Sequence, residues 1–298
     1  MTRIMTPPTV LAANLLAILM LVACTSKAAI IHETTGQFGS IVVEEHPMGV
    51  RTLRFSRNGA RQSVVKLGDP DHLELSYART VLAGLALSGK SRRMLVLGLG
   101  GGSLPMFLHK NYPDATIDVV EIDPGVVAVA RKFFEVREDR RLMIHVQDAR
   151  RFVESAQSGI YDLILVDAFG ANSAPAHLTT QEFMRSLRRA VSKEGVVVGN
   201  LWRRAFNPQY DSMLLTYRSV FESSILLDVP GDANSILLAL PRSDAPDRER
   251  FSVQAGNLAK AKGFRVDLET MVKNAYQAGP ALKLQGGILF DTKANPAP

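Results

Sequence analysis

LGLGGGSLP, residues 97–105, is the stretch that decides how the rest of the chain is read. The run before it, Met94 to Leu97, is apolar and strand-like, and a helix can begin at Leu104 or Pro105. A glycine turn between a strand and a helix lets a ligand approach bare backbone, because no Cβ stands in the way. The pattern is G-x-G-x-G, and Ser103 stands where the dinucleotide fingerprint has its third glycine. The loop alone therefore leaves a phosphate, a nucleoside or no ligand open.

Working outward, strands and helices alternate. Residues 93–97 read as a strand and 104–111 as a helix; 116–122 as a strand and 124–134 as a helix with Pro124 in its first turn. Strands follow at 142–146 and 161–166, a helix at 181–190 and a strand at 195–201, and SILLDV and SILLALP form a closing hairpin. Such alternation predicts a parallel sheet covered by helices on both faces. Upstream, residues 29–67 read as β, with a hairpin at Asn58-Gly59, and 71–87 as helical. The expected organisation is an α/β chain with a β-hairpin domain over 29–70, a doubly wound domain over 71–241 and a helical extension over 242–298.

In such sheets ligands bind beyond the carboxyl ends of the strands. Four successive ends carry the glycine turn with Gly98, Gly100 and Gly102, then Glu121 followed by Asp123, then Asp148 before Ala149, then Asp167. Three carboxylates with no facing Lys or Arg would repel a pyrophosphate, whereas a nucleoside bearing a sulfonium suits them. Glu121 can accept both ribose hydroxyls and Asp148 an adenine amino hydrogen. The competing reading is that Asp123 and Asp148 cap the helices after them.

The composition is that of a globular protein, 46% hydrophobic and 21% charged, with a net charge of +6. The arginine pairs are scattered and no aromatics interleave with them, which argues against a nucleic-acid partner. The six histidines show no ligand spacing, so no metal site is expected. Arg3 precedes an apolar run from Thr9 to Ala23, too short to span a bilayer comfortably and suited to a signal peptide over 1–23. It ends in LVAC, which resembles the bacterial lipobox; that resemblance implies lipidation at Cys24, the only cysteine, and a membrane-anchored lipoprotein on the extracytoplasmic side. A cytoplasmic protein is the alternative.

MLVLGLGGGSLPMFL, IDVVEIDPGVVAVARKFF, HVQDARRFV and YDLILVDAF together resemble the spermidine synthase family of aminopropyltransferases. LRFSRNGARQS is similar to the family's second hairpin, with Gln62 on its nucleoside-contacting glutamine, and HLELSYAR to the helix carrying a gating tyrosine, here Tyr77. The resemblance implies a Rossmann-like, S-adenosylmethionine-dependent methyltransferase fold with a small N-terminal β domain. It further implies ribose held by Glu121, adenine by Asp148, and a catalytic Asp167 that orients and deprotonates an attacking amine. A homodimer and a small-molecule amine acceptor are also implied.

Four departures accompany it. Gly101 stands where the family's loop has an aspartate, Tyr77 is followed by Ala78-Arg79, Asp167 is followed by Ala168-Phe169-Gly170 without the second acidic residue, and no second gating tyrosine occurs around 229–233. The nucleoside side is kept and most of the diamine side is lost. Three functions fit: aminopropyl transfer from decarboxylated S-adenosylmethionine, methyl transfer from S-adenosylmethionine, or nucleoside binding without catalysis.

Overall fold

The computed structural model describes residues 28–168, 174–229, 231–277 and 283–292; the predicted signal segment, Cys24, Phe169 and Gly170 lie outside them. Four antiparallel strands come first, paired in chain order: β1 (Ala29–Gly36), β2 (Gly39–His46), β3 (Val50–Arg54) and β4 (Arg61–Lys66). The β3–β4 hairpin exists, but not as a tight Asn-Gly turn. Neither Asn58 nor Gly59 takes the positive φ that a two-residue type I′ turn needs. Gly59 N instead donates to Ser56 O at 3.1 Å, and the Arg54 guanidinium binds the Gly59 carbonyl, which together stabilise a longer loop.

Eight strands build the main sheet: β5 (Arg93–Leu97), β6 (Thr116–Glu121), β7 (Leu142–Val146), β8 (Tyr161–Val166), β9 (Val191–Trp202), β10 (Ser223–Asp228), β11 (Asn234–Leu240) and β12 (Tyr276–Gln277). Their order is β12-β10-β11-β9-β8-β5-β6-β7. The neighbours from β7 to β9 pair parallel, and β9–β11, β11–β10 and β10–β12 pair antiparallel. The chain leaves β5 towards β6 and β7, then returns to place β8 on the other side of β5. That reversal opens a crevice at the carboxyl ends of β5 and β8.

Alternation along the strands feeds two cores. Met94 and Val96 face one side with Ile117, Val119, Leu163 and Leu165, packed with helices Ser103–Asn111 and Pro124–Phe133. Leu95 and Leu97 face the other with Ile164 and Val197, under helices Ala149–Ser155, Gln181–Ala190 and Tyr210–Arg218. Burial on both faces explains why these strands read as nearly continuous apolar runs.

Residues 71–87 are helical only in part, as an α-helix over Ser76–Val81 and a 3-10 segment over Leu82–Leu87. Asp71 is held out of the helix by Lys110 Nζ at 2.6 Å and Asn111 Nδ2 at 2.9 Å. The C-terminal extension is more than helical. After helices Arg248–Lys262 and Leu268–Ala275, β12 joins the main sheet beside β10. Residues 283–292 then run along the second core's helices: Gln181 N donates to Leu289 O at 2.7 Å, and Arg150 pairs with Asp291 at 2.5 and 2.7 Å.

Candidate active site

A cavity of about 730 Å³ opens at the crevice. That is a usual size for a small-molecule site, roughly 300–1,000 Å³. Gln62, Tyr77, Gly98, Gly100, Glu121, Asp148, Ala149 and Asp167 all line it. Residues from the small sheet, the β5 turn and three other strand ends, far apart in sequence, thus meet at one place. Gly102 is the exception. It stands at the N-terminus of helix Ser103–Asn111 with φ 80°, and a Cβ there would collide with Val136, so it shapes the turn and its packing and does not touch the cavity.

Each glycine has its own reason. Gly98 has φ 101°, and a Cβ would strike the Asp167 carbonyl of the neighbouring strand end. Without a side chain, Asp167 N can reach Leu97 O at 2.9 Å, which fixes the start of the loop after β8 against the glycine turn. Gly101, where the resemblance expects an aspartate, has no positive φ; a Cβ would point at Ser63 Oγ, 2.9 Å away, and at Phe134.

On one side of β5, Glu121 ends β6. Its Oε2 accepts Leu99 N and its Oε1 accepts Asp123 N, both at 3.0 Å. Each carboxylate oxygen has two lone pairs, so both can still accept a hydroxyl. Burial pushes the Glu121 pKa up, and the two backbone donors work against that rise. Asp123 and Asp148 do cap helices: Asp123 Oδ1 accepts Gly125 N at 2.7 Å, and Asp148 Oδ1 accepts Arg151 N at 2.9 Å. Capping and lining are compatible, because each carboxylate oxygen has two lone pairs and can accept more than one hydrogen bond. Asp123 Oδ2 accepts Gln37 N at 2.7 Å, tying the β1–β2 turn to the main domain. Asp148 Oδ2 lies 2.8 Å from His177 Nε2.

On the other side, Asp167 ends β8. Its Oδ1 accepts Asn200 Nδ2 at 2.8 Å, and Tyr77 Oη lies 3.3 Å from its Oδ2. Asn200, at the end of β9, is oriented in turn by Asn234 Nδ2, 2.7 Å from its Oδ1. Burial raises the Asp167 carboxyl to a pKa of about 6, although both hydrogen bonds favour the charged form. The Tyr77 phenol is pushed well above the usual tyrosine range, first by burial and then by the charges of Asp167 and Asp232. The desolvated carboxyl is thus poised to take a proton near neutral pH.

Asn200, His177 and Asp232 also line the cavity, and none belongs to a motif in the sequence. Asn200 interrupts the apolar run 196–201 at a strand end, a signal the other strand ends had already taught. His177 and Asp232 sit in connections without a periodic pattern. Arg61 also lines the cavity, so its rim does carry a cation, but Glu74 pairs with it. Among the described residues no group of three or more His, Cys, Asp or Glu is arranged to hold a metal.

Comparison with known proteins fits this geometry. Residues 74–210 match the spermine/spermidine synthase domain. A polyamine aminopropyltransferase of Vibrio vulnificus is 34% identical over 268 residues, covering 88% of this chain and 89% of that protein. The human eEF1A lysine and N-terminal methyltransferase is 31% identical over 187 residues, covering 57% of this chain and 27% of that protein. Among solved structures, a probable spermidine synthase from Corynebacterium glutamicum superimposes with a TM-score of 0.68 at 22% identity, over 87% of this chain and 99% of that one. The strand-end carboxylates around a glycine turn, and a relative matched along almost its whole length, lead to one assignment: the chain belongs to the spermine/spermidine synthase family.

Proposed function

We propose that the protein is an aminopropyltransferase that binds decarboxylated S-adenosylmethionine and transfers its aminopropyl group to a small amine. The observation that carries this is Asp167: a half-buried, hydrogen-bonded carboxyl with a raised pKa, facing the same cavity as Glu121. The Vibrio relative bears the name polyamine aminopropyltransferase and is matched along 89% of its length. The methyltransferase reading accounts for less, because the chain spans about a quarter of the human methyltransferase it matches.

The chemistry follows from the two sides of the cavity. Glu121 and Asp148 hold the ribose and adenine, which fixes the sulfonium near the bare backbone at Gly98 and Gly100. The lone pair of a neutral amine forms a bond to the methylene carbon beside sulfur. The C–S bond breaks, its electron pair stays on sulfur, and methylthioadenosine leaves uncharged. The new ammonium gives a proton to Asp167. Tyr77 and Asn200 hold that carboxylate still, so much of the acceleration comes from proximity and orientation. Calorimetric titration with decarboxylated S-adenosylmethionine, S-adenosylmethionine and methylthioadenosine tests the reading. Tighter binding of the decarboxylated donor supports it; preference for the carboxylated form contradicts it.

Processing at the N-terminus is part of the same proposal. Arg3, the apolar run and LVAC support lipidation at Cys24 and a membrane-anchored location. Cys24→Ser should abolish fatty-acid labelling, and a wild-type protein that never takes up label would refute it. A homodimer rests on the family likeness and is read by sedimentation of the purified protein.

A further inference from the structure

Residues 283–292 form no helix or strand, yet they are fastened to the helices of the second core along their length. Gln285 N donates to Asp211 Oδ2 and Leu289 N to Thr216 Oγ1, both at 2.9 Å, on helix Tyr210–Arg218. Asp291 N donates to Glu182 Oε2 at 3.0 Å, on helix Gln181–Ala190. The Asp291 carboxylate then grips Arg150 on helix Ala149–Ser155. We propose that this segment is a strap that sets the base preference of the nucleoside site: through Asp291 and Arg150 it holds Asp148 and His177 in the geometry that recognises the adenine amino group. The inference rests on the assignment of Asp148 to adenine and adds two positioning residues, neither of which lines the cavity.

The adenine end has two walls. One is the start of helix Ala149–Ser155, with Asp148 and Ala149; the other is the connection after β8, with Pro175, His177 and Leu178. His177 Nε2 joins them at the front, 2.8 Å from Asp148 Oδ2. Arg150 joins them from behind, because its Nη1 donates to the His177 carbonyl at 3.3 Å. The same guanidinium binds Asp291 through both terminal nitrogens, at 2.7 and 2.5 Å, and Glu154 Oε1 through Nε at 2.7 Å. A planar fork held by acceptors on several sides keeps one orientation, so the His177 backbone and the helix that begins at Asp148 stay in register.

Asp291 decides that orientation. The Arg150 side chain is only 8% exposed, so it cannot exchange a lost partner for full hydration. Glu154 lies one turn along the same helix and holds the guanidinium only to its own helix. Asp291 is the bidentate partner, and its hydrogen bonds are the main cause of the raised Arg150 pKa. Asp291 is fixed in turn. Besides the bond from its backbone to Glu182, its carboxylate accepts the hydroxyl of Thr180, the residue that caps helix Gln181–Ala190. One carboxylate on the strap therefore holds the helix after Asp148, the carbonyl of His177 and the helix start that follows His177.

The test compares methylthioadenosine with methylthioinosine, which has an oxo group in place of the amino group, by calorimetry on the full chain. The wild type should prefer methylthioadenosine. Asp291→Asn should weaken methylthioadenosine binding roughly tenfold and methylthioinosine binding far less, with a matching rise in the donor KM and little change in kcat. Arg150→Lys, which keeps the charge and loses the fork, should do the same, and Asp291→Glu should recover much of the preference. A strap that only stabilises the fold would lower the melting temperature of Asp291→Asn and leave the base preference intact. That result, or equal weakening of both nucleosides, overturns the role of Asp291 while the nucleoside assignment stands. A wild type that binds both nucleosides alike, or neither, removes adenine from Asp148 and overturns both.

Discussion

Replacing Asp167 by asparagine should make the protein more stable and inactive at once. The carboxyl is half-buried at the end of β8, facing the cavity, and its desolvation there is the main reason its pKa rises to about 6. An unfolded aspartate titrates near 4. The sign follows from linkage: a carboxyl whose folded pKa is raised disfavours folding once it ionises, so its penalty is small at low pH and grows as pH rises through about 6. A difference between about 4 and about 6 corresponds to a penalty of roughly 0.5 kcal/mol at pH 4 and roughly 3 kcal/mol at pH 7.5. Asparagine keeps the geometry, since its oxygen can accept from Asn200 Nδ2 and its amide can donate to Tyr77 Oη. Urea unfolding at both pH values should therefore show Asp167→Asn close to wild type at pH 4 and more stable by about 2–3 kcal/mol at pH 7.5. Aminopropyl transfer should be lost, and in the wild type it should rise with pH through about 6 as Asp167 ionises. An asparagine variant equally or less stable at pH 7.5 would refute the claim that this carboxyl carries a desolvation penalty in the resting protein.

Further expectations follow from the nucleoside side. Glu121→Ala should weaken methylthioadenosine binding by about 1.5–3 kcal/mol, read by calorimetry, because charge-assisted bonds to the ribose are lost; unchanged affinity would remove Glu121 from the site. Asp148→Ala should lose adenine contacts, the His177 contact and a helix cap, costing about 1 kcal/mol of stability or more, whereas Asp148→Asn keeps the cap and a polar partner for His177 Nε2 and loses mainly affinity. Equal thermal stability of the two variants would show that neither the cap to Arg151 N nor the contact with His177 contributes. Gly98→Ala should lower both stability and activity, since its Cβ collides with the Asp167 carbonyl at a φ of 101°; a fully active, equally stable variant would contradict that close approach.

The fold was legible where one local rule acted alone. Strands β5, β6 and β8 are buried on both faces, so their apolar runs announced themselves, and Asp123-Pro124 marked a helix start by its own chemistry. Tertiary contacts hid the rest. Residues 71–75 look helical, but Asp71 is captured by Lys110 and Asn111 on another helix. Strand β9 begins at Val191, earlier than its glycine suggests, because Val191 pairs with Tyr161 across a register shift. In the site, strand ends were readable because topology fixes where they point. Asp148 shows the limit of choosing between roles: it both caps a helix and faces the cavity. His177 and Asp232 reach the site from connections, and connections carry no periodicity from which their direction could be read.

The defining property of the enzyme is the group it transfers. Incubating the full chain with decarboxylated S-adenosylmethionine and 1,4-diaminobutane, then measuring products by mass spectrometry, addresses it directly. The expected products are methylthioadenosine and an N-aminopropylated amine in equal amounts, with none formed by Asp167→Asn. Absence of methylthioadenosine, or transfer of a methyl group alone when S-adenosylmethionine is supplied instead, would contradict it.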